Sequence, residues 1–337
     1  MWNEAVLNEK LTTPSERLIE GLKGLVGDIL ILGAGGKMGP TLAVLAKKAI
    51  EAGGGSNRVI AVSRFSDSFV VDLLNEHGIE MISADLLKTE EFAKLPLVPN
   101  VIYMAGRKFG TNGQEAQTWA MNAWLPALVA EKYKDSKIVV FSSGNIYPMM
   151  PAFSGATESV SPSPTGEYAM STLGRERMFE YGASAYGTEV FIYRLNYAVD
   201  LRYGVLHDIG VNILEGKPVS LQATAFNCIW QGDANEMALL GLLHTACPPT
   251  KMNITGPETI SVRAAAIELG KLLGKEPVFE GEEMEVALLN NAALAMETFG
   301  YPSVALKTLI RWQAEWLLEG GRSLGKPTHF EEREGNY

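Results

Sequence analysis

Cysteine, histidine and long apolar runs are all scarce in this chain of 337 residues. The two cysteines, Cys228 and Cys247, are too few for a disulfide framework, and neither they nor the four histidines have the spacing of a metal site. No apolar run approaches the ~20 residues that a membrane-spanning helix needs. The opening residues MWNEAVLNEK are acidic where a signal peptide is basic. We therefore expect a cytoplasmic protein with reduced thiols, no metal and no membrane association.

Positive charge is in short supply as well. The chain has 29 lysine and arginine residues against 39 aspartate and glutamate residues, a formal net charge of -10 at pH 7. A surface that follows nucleic-acid phosphates needs clustered lysine and arginine, whereas the basic clusters here are short and local. The composition argues against nucleic acid as a partner and leaves a small-molecule substrate as the expected one.

Up to Tyr197 the chain alternates between short apolar runs and helical segments. The first apolar run, Asp28–Leu32, ends in glycines, which is typical of a strand buried on both faces of a parallel sheet. The alternation predicts an α/β fold of the Rossmann type, a doubly wound parallel sheet with a smaller C-terminal substrate lobe. Further predicted strands are Arg58–Val62, Glu80–Ser83, Val101–Met104, Lys137–Phe141 and Glu189–Leu195; predicted helices are Gly39–Ala52, Ser68–His77, Gln114–Tyr133 and Tyr168–Tyr186.

A glycine-rich turn, GAGGKMG, joins the first strand to the first helix of this pattern. Gly33 permits a tight turn, Gly36 lets backbone amides approach a pyrophosphate, and Gly39 lets the helix pack closely on the strand. The helix amino terminus attracts phosphate, and Lys37 and Met38 lie within the same turn. The turn predicts a dinucleotide site, the alternative being a purely structural turn.

The end of the second strand bears on which dinucleotide binds. A protein that reads NAD usually places an acidic residue there for the ribose hydroxyls, whereas this chain has Ser63 and Arg64. Arginine suits a 2′-phosphate, and Lys37 adds a cation, so we predict NADP(H). NAD(H) remains the alternative, with Arg64 in solvent and Asp67 serving the ribose.

These features divide the chain into three parts. Residues 1–27 are predicted as a helical extension, with a helix over Thr13–Leu25 that Thr13 caps and Pro14 opens. Residues 28–197 form the NAD(P)-binding Rossmann domain. Residues 198–337 form mainly the substrate lobe, with 226–248 returning to the Rossmann domain and the polar tail from Lys326 expected to be loose. Helices in this last part are predicted at Arg202–Gly216, Asp233–His244, Ser261–Leu273 and Lys307–Leu318.

A serine-rich strand end and a later tyrosine accompany the glycine turn. The segment SSGNIY follows the strand at Lys137–Phe141, and Tyr168 opens the next helix. Together with GAGGKMG, these residues resemble the extended short-chain dehydrogenase/reductases, the NAD(P)-dependent epimerase/dehydratase family, from Asp28 onward. The resemblance implies that Ser143 polarises a substrate carbonyl or hydroxyl and that Tyr168 exchanges its proton. It also implies cofactor contacts by Asp85, Leu86, Met104, Ala105, Gly106 and Asn122, and substrate contacts by Asn145, Arg194 and Asn196. Arg107 is a further candidate for substrate contact, because it follows the fourth strand, where ligands of such a sheet bind. Arg194 and Arg202 could each meet a phosphate or carboxylate, or equally pair with an acidic residue.

The sequence departs from the family four residues after the tyrosine, where Thr172 replaces a lysine. That lysine holds the nicotinamide ribose and, as a cation, lowers the pKa of a neighbouring tyrosine by ~1 to 3 units. Threonine supplies a hydrogen bond but no charge, and a phenol of ordinary pKa ~10 is a poor base yet a usable proton donor. We therefore favour a reductase over an epimerase acting on a small, sugar-nucleotide-like substrate. A catalytically silent dinucleotide-binding sensor or scaffold is the alternative.

Two further interpretations concern the helix that Tyr168 opens. Arg175 lies seven residues beyond Tyr168 on the same helical face and could restore the missing cation. The pattern favours instead a surface arginine paired with Glu176 or a neighbour. The resemblance also implies a homodimer through the helices at Gln114–Tyr133 and Tyr168–Tyr186, although their apolar residues would equally suit packing within one chain.

Overall fold

Seven parallel strands form the centre of the protein in the computed structural model, which describes residues 1–152 and 154–335. Their order across the sheet is Thr250–Ile254 (β12), Val190–Leu195 (β7), Lys137–Ser143 (β5), Asn100–Tyr103 (β4), Ile29–Leu32 (β1), Val59–Ser63 (β2) and Glu80–Ser83 (β3). This arrangement confirms the predicted Rossmann-type doubly wound sheet. Its strands are β1 Ile29–Leu32, β2 Val59–Ser63, β3 Glu80–Ser83, β4 Asn100–Tyr103, β5 Lys137–Ser143, β7 Val190–Leu195 and β12 Thr250–Ile254; short strands elsewhere are β6 Met150–Pro151, β8 Ala198–Val199, β9 Val219–Ser220, β10 Ala225–Phe226, β11 Ile229–Trp230, β13 Ile260–Ser261, β14 Phe279–Glu280 and β15 Val286–Ala287.

Helices cover both faces of the sheet, because the central strands are apolar on both sides. All four residues of β1 are fully buried, and β1 pairs in parallel with β2 and β4. The helices are α1 Glu4–Thr12, α2 Glu16–Lys23, α3 Gly39–Ala52, α4 Ser68–Glu76, α5 Thr89–Ala93, α6 Glu115–Trp119, α7 Leu125–Lys132, α8 Gly166–Tyr186, α9 Val205–Glu215, α10 Gln231–Leu240, α11 Val262–Leu273, α12 Ala293–Phe299 and α13 Leu306–Leu318. Among these described helices, none combines the length and apolar character needed to cross a membrane.

The N-terminal extension contains two helices where the sequence predicts one. The residue that caps the second is Ser15, whose Oγ accepts a hydrogen bond from the Leu18 amide at 3.1 Å, so the prediction of Thr13 as the cap is wrong. Thr13 is in extended conformation at the end of α1. Extended backbone is compatible with a capping residue, but the Thr13 hydroxyl donates to the Glu9 carbonyl of α1 at 2.8 Å, and Ser15 caps the second helix instead.

The helix predicted over Gln114–Tyr133 is interrupted by a π-helical turn at Ala120–Trp124. Pro126 has no amide hydrogen for an ordinary helical bond to the fourth residue before it. The Leu125 amide instead bonds to the Ala120 carbonyl, five residues back. The widened turn carries Asn122, which is fully buried, toward the carboxyl ends of the strands.

The second half of the chain contributes to the sheet as well as to a separate core. Strand β12, which the sequence pattern does not predict, pairs with β7 as an edge strand, and α10 packs against α3. Helices α9, α11 and α13 pack on one another around a second apolar cluster that includes Leu206, Leu269 and Trp316. The domain boundaries inferred from the sequence stay a prediction.

Candidate active site

Two neighbouring cavities open where the carboxyl ends of β1, β2, β4 and β5 meet, the usual ligand position in such a sheet. The first, of about 240 Å³, lies along the end of β2. The second, of about 310 Å³, lies along the end of β5. Both are lined by Gly33, Gly36, Met104 and Gly106.

The glycine turn has the geometry that its three roles require. Gly33 has a φ of +93°, and a Cβ there would lie 2.5 Å from the Ala105 nitrogen. A Cβ at Gly39 would lie 2.3 Å from the Ala34 oxygen, so a side chain would push α3 off the turn. Gly36 is exposed toward the cavities, and a Cβ there would come no closer than 3.6 Å to its nearest neighbour, the Gly33 oxygen. The turn thus presents backbone to a ligand at Gly36 and is tightly packed at Gly33 and Gly39.

The first cavity has the composition expected for the adenosine half of a dinucleotide. The exposed Arg64 stands at its rim beside Ser63. Asp67, the alternative ribose partner, also lines it, but one carboxylate oxygen caps α4 by accepting from the Phe69 amide at 3.0 Å. The cavity brings together these predicted cofactor residues: Gly33, Gly36, Ser63, Arg64, Asp85, Leu86, Met104, Ala105 and Gly106.

The second cavity contains both residues to which the sequence assigns proton chemistry, Ser143 and Tyr168. Ser143 is the last residue of β5, and its Oγ donates to Asn145 Oδ1 at 3.0 Å and accepts from the Asn145 amide at 3.2 Å. These bonds fix the serine hydroxyl at the cavity wall. Asn145 and Asn196, both predicted substrate residues, line the same wall.

Thr172 does not reach this cavity. Its side chain is fully buried, and its hydroxyl donates to the Tyr168 carbonyl at 2.8 Å. Threonine in a helix readily bonds the carbonyl four residues back, so the hydroxyl is committed to α8 itself. The expectation that Thr172 supplies a hydrogen bond in place of the family's lysine is therefore corrected.

Arg175 differs from the surface arginine that the sequence favours. It is 6% exposed, lines the second cavity, and donates through Nη1 to the Phe141 carbonyl at 2.6 Å and through Nη2 to Asn122 Oδ1 at 2.9 Å. Its expected partner Glu176 binds Arg194 instead. The surface interpretation is wrong because α8 is packed on β5 and the π-helical turn, which leaves its Arg175 face without solvent.

The arginines predicted to meet substrate are engaged elsewhere in buried ion pairs. Arg194 bonds Glu176 at 2.8 and 3.0 Å and the Tyr147 hydroxyl at 2.6 Å. Burial alone would lower the pKa of Arg194, but the hydrogen bond and charge of Glu176 raise it. Arg202 bonds Asp200 and Glu4 in the same manner. Both guanidinium groups form buried ion pairs, the alternative that the sequence left open for them, and neither lines the second cavity, so their assignment to substrate is corrected.

Asn122 and Arg107, predicted to contact cofactor and substrate, are hydrogen-bonded to each other. Asn122 receives the Arg107 amide hydrogen at 2.8 Å and donates to the Arg107 carbonyl at 2.8 Å. The Arg107 guanidinium turns back to the Gly110 carbonyl and Gln114 Oε1, each at 2.7 Å. Asn122 thus holds the loop after β4 against the cavity, rather than facing it, and Arg107 lines the cavity.

Two lysines, Lys37 and Lys108, line the second cavity. Lys37 Nζ lies 4.6 Å from the centre of the Tyr203 ring and donates to the Lys326 carbonyl at 3.1 Å. Lys108 Nζ lies 5.6 Å from the centre of the Tyr168 ring. Burial lowers the pKa of each amine to about 8, with mutual repulsion adding to the effect at Lys108. Because Lys37 lines this cavity and Arg64 the other, the two do not form the predicted pair of cations around a 2′-phosphate.

Sequence reasoning did not select Tyr203 and Thr328, which also line the second cavity. Thr328 belongs to the tail that the sequence predicts to be loose. Its amide and hydroxyl both donate to Asp208 on α9, at 2.8 and 2.6 Å, and Arg333 further on donates to the Val286 carbonyl at 2.8 Å. The tail is bound because these polar groups find partners on the lobe, which no local pattern signals. The described residues contain no cluster of His, Cys, Asp or Glu placed to hold a metal ion.

Comparison with known protein families identifies the family to which the chain belongs. The family model described as "NAD dependent epimerase/dehydratase family" matches residues 29–199, just over half of the chain. The chain therefore belongs to that family, as the resemblance in its motifs implies, and is an enzyme that uses a nicotinamide dinucleotide. No curated protein matches the chain.

Solved structures of sugar-nucleotide epimerases share the fold. UDP-glucose 4-epimerase from Thermotoga maritima, solved with UDP-glucose, has a TM-score of 0.70 at 20% identity, over 87% of this chain and 99% of that one. UDP-glucuronic acid 4-epimerase from Bacillus cereus, solved with NAD, has a TM-score of 0.70 at 16% identity, with the same coverages. UDP-glucose 4-epimerase from Thermus thermophilus, also with NAD, has a TM-score of 0.69 at 19% identity, over 86% and 98%.

Proposed function

We propose that this protein is an NADPH-preferring reductase acting on a carbonyl carbon of a sugar-nucleotide-type substrate. The observation that carries the proposal is the second cavity, in which Ser143 and Tyr168 stand beside the glycine turn while position 172 offers no cation. The substrate class is taken from the similar structures, which contain UDP-glucose and UDP-glucuronic acid. A silent scaffold would bind the dinucleotide without turnover.

The preference for NADPH rests on Arg64. Its guanidinium is exposed at the rim of the first cavity, where a 2′-phosphate of the adenosine ribose would meet it. Asp67, the carboxylate that would favour NADH, uses one of its two oxygens to cap α4. The Arg64→Ser variant removes the charge without adding bulk, and we expect it to lose affinity for NADPH but not for NADH.

Ser143 and Tyr168 have different roles in the proposed reduction. The bound dinucleotide supplies a hydride to the substrate carbon. Ser143 Oγ, which accepts from the Asn145 amide, turns its single proton from Asn145 Oδ1 to the substrate oxygen when substrate binds. Tyr168 then gives its hydroxyl proton to that oxygen as the negative charge develops on it. Reduction requires Tyr168 only as a donor, whereas epimerisation through a keto intermediate would require it first as a base.

Binding of the phosphate-rich cofactor should weaken as the pH rises through about 8. Lys37 and Lys108 both have a pKa near that value, and each loses its positive charge at higher pH. Protons that favour the bound state are thus lost, so the dissociation constant of NADPH should increase between about pH 7 and about pH 9. Titrations across this range check the expectation. The Lys37→Met, Lys108→Met double variant should bind more weakly at pH 7 and show a flatter profile.

We further propose a homodimer through α6, α7 and α8. These helices and the π-helical turn between α6 and α7 expose large aromatic side chains, Trp119 at 37%, Trp124 at 48% and Tyr181 at 67%. Apolar surface of this kind is typical of an interface. The mass of the protein in solution, measured by light scattering, tests the proposal.

The experiment that tests the proposed reaction follows NADPH absorbance while the protein is supplied with UDP-linked keto sugars. Oxidation of NADPH by wild type, abolished in the Tyr168→Phe variant, supports the reductase. NADPH binding without oxidation of NADPH by any keto sugar supports the scaffold instead. Interconversion of UDP-glucose and UDP-galactose without net consumption of NADPH would contradict the preference for reduction.

A further inference from the structure

Helix α8 carries a cation one turn later than the family's lysine position. Thr172, at that position, is buried and bonded to its own helix. Arg175 follows by three residues, which is nearly one helical turn, and thus lies on the same face. Side chains on a helix lean toward its amino terminus, so the long side chain of Arg175 extends back toward the turn that carries Tyr168.

The surroundings of Arg175 hold the guanidinium at the cavity wall. Nη1 bonds the Phe141 carbonyl at the end of β5, and Nη2 bonds Asn122 Oδ1 from the π-helical turn. The guanidinium carbon lies 5.6 Å from the centre of the Tyr103 ring. Three separate elements therefore fix its position, which is the rigidity expected of a binding group.

Gly106 makes the room that this arrangement needs. A Cβ at position 106 would lie 2.5 Å from Arg175 Nη2. Gly106 also lines both cavities, so the guanidinium lies next to the part of the wall that a dinucleotide bound across both cavities would contact. Any larger residue at 106 would displace the guanidinium from this place.

Arg175 retains unused binding capacity. Within the described part of the chain, Nε is buried and has no hydrogen-bond acceptor, and no carboxylate forms an ion pair with the guanidinium. Leaving a buried donor unsatisfied is costly, and such groups in folded proteins call for a specific explanation. Nη1 and Nη2 each carry a second N–H, and a ligand with oxygen acceptors in the second cavity, which Arg175 lines, would bind the guanidinium through these groups.

We propose that Arg175 performs the cofactor-holding role of the missing lysine, binding the hydroxyls of the nicotinamide ribose. This rests on the proposed function, since it requires a dinucleotide in the cavity. Arg175 acts as a binding and positioning residue, and the proton exchange remains with Tyr168. The ribose contact thereby comes from position 175 instead of position 172, while the two guanidinium nitrogens Nη1 and Nη2 are bonded to Phe141 and Asn122.

The test compares NADPH binding by calorimetry for wild type, Arg175→Met, Arg175→Lys and the double variant Thr172→Lys, Arg175→Met. Hydrogen bonds to a charged group predict that Arg175→Met weakens binding by about 10- to 100-fold. Arg175→Lys should bind NADPH more weakly than wild type and more tightly than Arg175→Met. The double variant Thr172→Lys, Arg175→Met should recover most of the affinity that Arg175→Met loses. Arg177→Met is the matched control, because Arg177 is on the same helix but exposed and paired with Glu180.

A second ligand separates local contact from general damage. Adenosine 2′,5′-bisphosphate lacks the nicotinamide ribose, so every folded variant should bind it as wild type does. The proposal is overturned if Arg175→Met binds NADPH normally, if it loses both ligands equally, or if lysine at 172 brings no recovery. If wild type binds neither NADPH nor NADH, the proposed function itself fails, and the two failures are thus distinguishable.

Discussion

Replacing Tyr168 by phenylalanine should reduce the rate of carbonyl reduction by about 10²- to 10⁴-fold, the usual contribution of a positioned proton donor. The phenol hydroxyl is the only group removed, and Tyr168 lines the second cavity beside Ser143. The affinity for NADPH should stay within a few-fold of wild type, because the proposed cofactor contacts come from other residues. Stopped-flow measurement of NADPH oxidation at saturating substrate gives the rate, and calorimetry gives the affinity.

Tyr181→Phe is the matched control for this experiment. Tyr181 lies on the same helix, but its side chain is 67% exposed, so its loss should leave the rate unchanged. A Tyr168→Phe variant that reduces substrate at the wild-type rate would remove Tyr168 from the reaction. A variant that fails to bind NADPH would instead show that Tyr168 holds the cofactor.

Breaking the ion pair between Arg194 and Glu176 should lower the free energy of unfolding by about 3–5 kcal/mol, the cost of leaving one buried charge without its partner. The two side chains are 2% and 0% exposed, and Glu176 also accepts from the Ser142 hydroxyl. Arg194→Met would leave the carboxylate with that hydroxyl alone. Urea denaturation of wild type and variant measures the difference.

Two further variants make this prediction specific. The double variant Arg194→Met, Glu176→Met should be more stable than either single variant, because no uncompensated charge stays buried. Arg177→Met breaks an exposed pair with Glu180 and should cost at most about 1 kcal/mol. Equal effects of the buried and exposed pairs would contradict the account of Arg194 as a structural rather than a substrate-binding residue.

The parts of the fold that local patterns encode could be predicted from the sequence. The strand at Ile29–Leu32 is marked by its continuous apolar run, and the turn after it by glycines that steric contact with Ala105 and Ala34 requires. The edge strand Thr250–Ile254 could not be predicted, because only Met252 and Ile254 of its five residues are apolar and the strand is defined by pairing with β7. Helix α1 was missed since only Leu7, Leu11 and Thr12 are buried.

Some residues of the candidate site could likewise be predicted from local sequence, and others could not. Residues that follow a strand directly, such as Ser63 and Ser143, fall at the cavities because parallel strands end at one edge. Arg175 could not be placed correctly because its environment depends on the packing of α8 against β5 and on the space left by Gly106, neither of which is local. Thr328 reaches the cavity only through a tail whose partner, Asp208, lies 120 residues earlier.

The most direct test of the account is a calorimetric titration of the cofactor-free protein with NADPH and NADH in parallel, for wild type and Arg64→Ser. We expect both dinucleotides to bind wild type, NADPH more tightly, and the difference to disappear in the variant. Absence of binding by either dinucleotide would contradict the assignment of the two cavities to the cofactor. The same result would also contradict the roles proposed for Tyr168 and Arg175, since both require a bound dinucleotide.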